Sequence, residues 1–243
     1  MTPEELQRSY YTGTAQQYDA LRDGEPEHVI ALYWLLAVID FLGLCSVLDV
    51  GAGTGRILQM LQQQRPRVKA IGIEPVAALR LQGHEKGILP ETLIAGDGND
   101  LQFAAASFDI VTAFGVMHHV RHPGKIIAEM LRVAECAVFI SDTNSYAHGG
   151  CILRGIKRIS HVAHLWDALN FVKTRGKMYR YVEEDGIVFA FDILAAYHQV
   201  RRACDSVYLL STDPLASRQQ ANPFVGAGHL AILGVKEPLP PIV

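Results

Sequence analysis

Short apolar runs alternate with amphipathic segments along the first 142 residues of the chain. Short apolar, β-branched runs are typical of buried strands, whereas apolar residues at helical spacing indicate helices. The runs predict five strands, at residues 46–50, 68–73, 93–95, 108–114 and 136–141. Strands that alternate with helices at roughly thirty-residue intervals indicate a doubly wound parallel sheet. The chain is therefore predicted to have an α/β fold.

The C-terminal part departs from this alternation. An apolar stripe predicts an amphipathic helix over residues 151–173, and an Asp-Gly turn predicts a hairpin of residues 179–183 with 187–191. After a helix over 194–204, two strands are expected to pair antiparallel at the edge of the sheet. These are residues 207–210 and 230–235. The complete prediction is a seven-stranded sheet, mostly parallel, with an antiparallel C-terminal edge strand.

Two helices are predicted before the first strand, over residues 4–21 and 29–41. Pro26 near the start of the second helix and Gly43 after its end match the residue preferences of helix termini. A chain of 243 residues with 49% hydrophobic content can bury one full core. We therefore expect a single domain over residues 1–243.

Composition and charge exclude several classes of protein. A net charge of −3 argues against nucleic acid as an obligatory partner. The four cysteines form no Cys-x-x-Cys pair, and the N-terminus has no basic-then-apolar leader, so a cytoplasmic location is predicted. The apolar run 29–44 is too short and interrupted to span a membrane. Nothing in the sequence indicates an oligomeric state.

A metal site is not expected from the histidines. His161, His164 and Asp167 could share one helix face, but no His-Glu-x-x-His arrangement accompanies them. The same region has a basic character, with seven Lys or Arg and one acid between residues 154 and 180. This predicts either a solvated helix face or contact with an anionic partner, which could be a small molecule or an acidic carrier protein.

A glycine-rich turn follows the first predicted strand. Gly51, Gly53 and Gly55 separate that strand from a predicted helix, and glycine lets a ligand lie against the backbone. The strand–turn–helix order predicts a nucleotide-type cofactor site. However, Arg56 occupies the position of the third glycine in G-x-G-x-x-G, which weakens a dinucleotide interpretation.

The segment from Val47 to Gly55 resembles the signature motif of class I S-adenosylmethionine (SAM)-dependent methyltransferases, which have a Rossmann-like fold. The resemblance covers residues 46–142 and continues in register. Its further elements are the acid Glu74 after the second strand, Gly96-Asp97-Gly98 after the third, and the fourth-strand segments Phe108–Val111 and Val116–Val120. Four elements in order are more specific than one glycine motif.

The resemblance implies SAM as the cofactor, with S-adenosylhomocysteine (SAH) as the product. Asp49 with the backbone of Gly51, Ala52 and Gly53 would hold the amino-acid end. Glu74 and Pro75 would lie at the ribose, Asp97 and Gly98 at the adenine, and Phe114 and Gly115 beside the methionine portion. In similar proteins the N-terminal helices form a lid, which predicts a lid over residues 1–44.

The acceptor atom is predicted to be oxygen rather than nitrogen or carbon. A hydroxyl nucleophile benefits from a base, and histidine is suited to that role. His118 and His119 follow the fourth strand, so either could act as the base in methyl transfer to a small-molecule acceptor. Residues 145–192 are expected to form the acceptor pocket. Side chains that could contact the acceptor are Tyr11, Tyr18, Asn144 and Trp166. An NAD-dependent oxidoreductase and a non-catalytic SAM-binding protein remain as alternatives.

Overall fold

The computed structural model describes residues 1–22, 25–144, 166–214 and 227–236. The strands are β1 (Ser46–Val50), β2 (Lys69–Ile73), β3 (Leu93–Ile94), β4 (Phe108–Phe114), β5 (Ala134–Thr143), β6 (Tyr179–Val182), β7 (Gly186–Phe189), β8 (Ser206–Ser211) and β9 (His229–Val235). The helices are α1 (Pro3–Thr14), α2 (Tyr18–Arg22), α3 (Pro26–Leu42), α4 (Arg56–Gln64), α5 (Ala77–Glu85), α6 (Pro123–Val133), α7 (Trp166–Lys173) and α8 (Ile193–Ala203).

Seven of these strands form one sheet in the order β3-β2-β1-β4-β5-β9-β8. Neighbouring strands from β3 to β5 run parallel, whereas β9 runs antiparallel to both β5 and β8. The sheet is therefore the predicted Rossmann-like, doubly wound sheet. The antiparallel strand is the C-terminal one, and it lies between β5 and the edge strand β8.

Helices cover both faces of the sheet. On one face, α6 and α8 pack against the apolar side chains of β4 and β5. On the other face, α3 and α4 pack against β1, β4 and β5. A sheet buried on both faces explains why its central strands are continuous apolar runs in the sequence. None of the helices in the described ranges is long and apolar enough to cross a lipid bilayer.

The predicted element bounds are close to those observed, with two differences. β5 is longer than residues 136–141, because its ends pair with β4 at Phe108 and with β9 at His229. The helix predicted over 4–21 is broken by a short 3₁₀ turn, Ala15–Gln17. Ala15 is buried there beside Val76 and Leu79. Of the helix predicted over 151–173, only α7 belongs to the described residues.

The hairpin of β6 and β7 docks on α1 rather than on the large sheet. The Tyr10 hydroxyl donates to the Glu183 carbonyl at 3.1 Å, and the Tyr10 ring meets the Tyr181 ring edge-on. The Gln7 amide oxygen accepts from the backbone N–H of Ile187. Two segments far apart in the sequence therefore form one cover over the sheet.

Gly186 allows this close docking. Its φ is +74°, and a Cβ there would lie 2.6 Å from Gln7 Oε1 and 2.8 Å from the Tyr10 ring. We expect Gly186→Ala to lower the free energy of unfolding by about 1–3 kcal/mol, as overpacking of a tight contact does. Urea unfolding measures this change.

Gly176→Ala is the matched control. Gly176 also has a positive φ, of +82°, but a Cβ there would meet only the Phe171 ring, at an ordinary 3.4 Å. Both variants carry backbone strain, so the difference between them reports the docking contact alone. Equal destabilisation by the two variants would show that the hairpin does not depend on close approach to α1.

Candidate active site

Two adjoining cavities lie at the carboxyl ends of β1 and β4, where the strand order reverses. Such a switch point is where open α/β sheets bind ligands. The larger cavity has a volume of about 170 Å³ and the smaller one of about 70 Å³. Five residues line both: Tyr11, Tyr18, Gly51, Phe114 and Gly115. The glycine turn, the end of β4 and the N-terminal helices thus meet at the junction of the cavities.

The glycine turn forms a cradle without side chains. Gly51 and Gly53 have left-handed φ angles of +73° and +57°. A Cβ on Gly53 would come within 3.0 Å of the Tyr18 hydroxyl and occupy space beside the cavities. Gly51 lines both cavities, whereas Gly53 lines neither, so a contact of this turn with a cofactor stays a prediction. Ala52 lines the smaller cavity.

Glu74 is a buried acid that ties β2 to the glycine turn. One carboxylate oxygen accepts from the Gly53 N–H at 3.0 Å, and the other accepts from the Val76 N–H at 2.8 Å. Burial raises the pKa of Glu74, although these two hydrogen bonds oppose the rise. Glu74 and the exposed Pro75 line the larger cavity, so a contact of either with the ribose stays a prediction.

Asp97 stands at the opening of the larger cavity. Its side chain is 53% exposed, and one carboxylate oxygen accepts from the backbone and side-chain nitrogens of Asn99. Gly98 packs so closely that a Cβ would lie 2.9 Å from Val50. A half-exposed acid beside a residue without a side chain is compatible with the predicted adenine contact.

Asp49 lines the smaller cavity and is almost fully buried. Its Oδ1 accepts from the Thr112 hydroxyl at 2.8 Å. Burial raises the pKa of Asp49 to about 7, despite this hydrogen bond. The carboxyl group is therefore poised to ionise when a cationic group, such as an α-ammonium, comes near.

His118 lies between two carboxylates. Its Nδ1 is 2.7 Å from Asp142 Oδ1, and its Nε2 is 3.2 Å from Asp185 Oδ2. Burial lowers the pKa of His118, but the two carboxylates outweigh it and raise the pKa to about 10. Both ring nitrogens therefore donate, and His118 is an imidazolium cation at neutral pH.

His119 has the opposite character. Its Nδ1 lies 2.7 Å from the Ile187 carbonyl and 3.0 Å from the Gln7 amide nitrogen. We place the proton on Nδ1, because the shorter contact is to the carbonyl, which can only accept. The Tyr11 hydroxyl lies 2.9 Å from Nε2 and donates to its lone pair. Burial and the neighbouring His118 cation lower the pKa of His119 below its usual value. His119 is therefore neutral at neutral pH.

Three residues of this centre were not among the predicted site residues: Asp185, Arg22 and Gln7. Asp185 accepts from the Arg22 guanidinium and from His118, while the Gln7 amide donates to the Asp185 carbonyl at 3.2 Å. A signal for Asp185 does exist in the sequence. It belongs to the Glu184-Asp185-Gly186 turn of the predicted hairpin, which brings acidic side chains to the tip of an insertion.

One group of potential metal ligands occurs among the described residues, formed by His118, His119 and Asp185 within 4.8 Å. The Asp185 carboxylate is already paired with Arg22 and with His118. The positive charge of the Arg22 guanidinium on the same carboxylate would repel a divalent cation. The arrangement therefore favours protonated histidines over a bound metal ion. His161 and His164 lie outside the described residues.

The predicted acceptor-contacting residues have different positions. Tyr11 and Tyr18 line both cavities. Asn144 is fully buried at the end of β5, its N–H donates to the Gly228 carbonyl at 2.8 Å, and it lines neither described cavity. Trp166 begins α7, and its side chain lies outside the described part of the structure.

The sheet order, the glycine cradle and the two acids at the larger cavity define a class I SAM-dependent methyltransferase fold. Comparison with protein families agrees, since residues 48–136 match the family described as a methyltransferase domain. The segment from β1 to the start of β5 is therefore similar to a methyltransferase domain. A dinucleotide-dependent oxidoreductase is not favoured by these findings.

Curated relatives match part of the chain. A demethylmenaquinone methyltransferase of Thermobifida fusca is 32% identical over 137 residues, covering 51% of this chain and 55% of the relative. A ubiquinone biosynthesis O-methyltransferase of Hahella chejuensis is 33% identical over 91 residues, covering 37% of this chain and 38% of the relative. The matches thus span about half the length of these relatives or less.

Solved structures extend the similarity of the fold over nearly the whole chain. A SAM-dependent methyltransferase of Thermotoga maritima superposes with a TM-score of 0.61 at 16% identity, over 94% of this chain and 99% of the other. One of Aquifex aeolicus has a TM-score of 0.55 at 14% identity, over 93% and 98%. At this identity the likeness establishes the fold alone.

Proposed function

We propose that this protein transfers the methyl group of SAM to an oxygen of a small-molecule acceptor, with His119 as the base. The observation that supports this most directly is the neutral His119, which lines the larger cavity. Its Nε2 lone pair points to the Tyr11 hydroxyl, which lines both cavities. A base in this position can serve a hydroxyl that faces the cofactor cavity.

The residues of the two cavities fit the parts of SAM in the order that the sequence predicts. Asp97 and Gly98 would hold the adenine, and Glu74 the ribose hydroxyls. Asp49 and the glycine turn would hold the amino-acid end, with Phe114 and Gly115 beside the methionine portion. When bound, SAM supplies a methyl group already activated by the positive sulfur, and the electron pair of the broken C–S bond stays on the sulfur of SAH.

The protein then has two tasks, which are alignment and proton transfer. Holding the acceptor oxygen in line with the methyl group provides most of the rate enhancement. As the O–CH₃ bond forms, the acceptor hydroxyl loses its proton to the Tyr11 oxygen, and the Tyr11 proton passes to His119 Nε2. His118 cannot take this proton, because both of its ring nitrogens already carry one.

The segments that cover the site support the predicted lid over residues 1–44 and the predicted acceptor pocket of residues 145–192. Tyr11, Tyr18 and Arg22 from residues 1–44 line the cavities, as a lid would. The hairpin of the 145–192 insertion reaches His118 through Asp185, and this supports a role for the insertion in the acceptor pocket. Relatives named as a ubiquinone biosynthesis O-methyltransferase and a demethylmenaquinone methyltransferase support a small-molecule acceptor related to quinones. An anionic group on it stays a prediction.

Calorimetric titration of the purified protein with SAH, SAM and NAD separates the candidate functions. We expect SAH and SAM to bind and NAD not to bind. Tight NAD binding without SAH binding would contradict the proposal. A non-catalytic SAM-binding protein would bind SAH but form no methylated product from SAM and a phenolic probe such as hydroquinone.

Replacing Asp97 with alanine is expected to weaken SAH binding by about 10- to 100-fold, since a hydrogen bond to a charged group contributes roughly 1.5–3 kcal/mol. The measurement is the Kd of SAH by calorimetry. Asp100→Ala is the matched control, because Asp100 is an exposed acid of the same loop and does not line the larger cavity. Equal affinities of the two variants would place the adenine elsewhere.

A further inference from the structure

The Asp185 carboxylate, at the tip of the β6–β7 hairpin, joins three separate segments of the site. It accepts from Arg22 of α2, from His118 Nε2 at 3.2 Å, and lies 3.4 Å from His119 Nε2. The two histidines follow β4, and Arg22 belongs to the N-terminal cover. One side chain therefore connects the lid, the hairpin and the sheet.

The position of Asp185 is determined by its surroundings. Gln7 holds the backbone on both sides of Gly186, because its amide donates to the Asp185 carbonyl at 3.2 Å and accepts from the Ile187 N–H. Gly186 itself permits this approach through its positive φ. The carboxylate is therefore delivered to the histidines by the tight docking of hairpin and helix.

The contacts of Asp185 have different consequences for the two rings. His118 already donates from Nδ1 to Asp142, so a carboxylate at its Nε2 keeps a proton on both nitrogens. His119 then has a cation beside it, with ring centroids 3.9 Å apart. The Asp185 carboxylate, 3.4 Å from Nε2, also raises the pKa of His119 directly, but burial and the His118 cation outweigh this effect. The pKa of His119 therefore stays below its usual value, and the ring is neutral.

We propose that Asp185 is a positioning residue of the reaction, which keeps His118 protonated and thereby leaves the lone pair of His119 free for Tyr11. This inference rests on the proposed function, in which His119 is the base. The charged and titratable groups in contact with the two rings or with Asp185 are Asp185 of the hairpin, Arg22 of α2, Tyr11 of α1 and Asp142 of β5. His28 of α3 and His229 of β9 also interact electrostatically with His118, and burial lowers the pKa of each, so both are neutral at neutral pH.

The test is the titration of both histidines by NMR in ¹⁵N-histidine-labelled, SAH-saturated protein, with signals assigned from single His→Gln variants. In Asp185→Asn, we expect the pKa of His118 to fall by about 1–3 pH units, the effect of removing one opposite charge at contact distance. The variant should keep its SAH affinity, because Asp185 lines neither cavity. With hydroquinone, kcat should fall by about 10-fold or more, since the rings lose their alignment.

Two variants serve as controls. Glu184→Gln removes an exposed acid from the same turn and should titrate as the wild type does. Asp185→Glu keeps the charge and should restore most of the elevated His118 pKa, which a purely steric role would not predict. Unchanged titration of both histidines in Asp185→Asn would overturn the inference. Absence of SAH binding by the wild type would instead contradict the proposed function.

Discussion

Replacing His119 with alanine is expected to lower methyl transfer to a hydroxyl acceptor by roughly 10²-fold or more, the usual contribution of a positioned base. The loss should appear in kcat, because the predicted cofactor contacts come from the glycine turn, Glu74 and Asp97. SAH formation from SAM with hydroquinone as the acceptor measures kcat, and calorimetry measures the Kd of SAH. That Kd should stay within a few-fold of the wild-type value.

The pH dependence gives a second measurement of the same role. A base acts in its neutral form, so the rate should rise with pH through the pKa of His119 and then reach a plateau. Burial and the His118 cation lower that pKa, so the rise should lie below the ordinary value of about 6.5. The rise should be absent from the residual activity of His119→Ala.

His122 provides the matched control for this experiment. It is an exposed histidine just before α6, and its side chain makes no capping hydrogen bond there. His122→Ala should keep the wild-type rate and pH profile. A wild-type rate in His119→Ala would exclude His119 as the base, whatever the result for His122.

The cofactor half of the site could be predicted from the sequence because it is local. Residues 46–56 contain the strand, the glycine turn and the start of the helix in one continuous stretch, and each part has its own pattern. Glu74 and Asp97 follow the next two strands in turn. Parallel strands bring their carboxyl ends to one edge, so chain order alone places these acids together.

The part of the site around His118 and His119 could not be assigned in the same way, because it is assembled from segments that are distant in the sequence. Asp185 is 67 residues from His118, and Gln7 is 178 residues from Asp185. His118 and His119 are adjacent and chemically identical in the sequence. They differ only because one faces the Asp142 carboxylate and the other faces the Ile187 carbonyl, which depends on the register of β5 and the docking of the hairpin.

Replacing His118 with alanine is expected to lower the free energy of unfolding by about 3–5 kcal/mol, because it leaves the Asp142 carboxylate buried without its cation. Asp142 is fully buried, and its pair with His118 is 2.7 Å long. Its remaining hydrogen bonds come from the N–H groups of Met117 and Thr143. Urea unfolding measures the loss, and a double-mutant cycle with Asp142→Asn isolates the coupling between the two groups.

The same loss should depend on pH with a defined sign. His118 has a pKa raised to about 10, so its contribution is fully present below its unfolded pKa of about 6.5 and disappears as pH rises through 10. Burial raises the pKa of Asp142, but His118 outweighs this and holds it below the usual value. The Asp142 contribution is therefore present above about pH 4 and disappears as pH falls. The difference in the free energy of unfolding between wild type and His118→Ala should therefore be largest between about pH 4 and pH 6.5.

His229 is the matched buried histidine for this comparison. Its Nδ1 lies 2.7 Å from the Thr212 hydroxyl, and burial lowers its pKa to about 3, so it is neutral at neutral pH. Its replacement by alanine removes a packed ring without removing a charge. The destabilisation by His229→Ala should therefore stay constant between pH 7 and 10, the range in which that of His118→Ala declines. If the destabilisation by both variants is independent of pH, His118 is buried as a neutral ring. The proposed role of His119 as the base, which requires His118 to be protonated, would then be wrong as well.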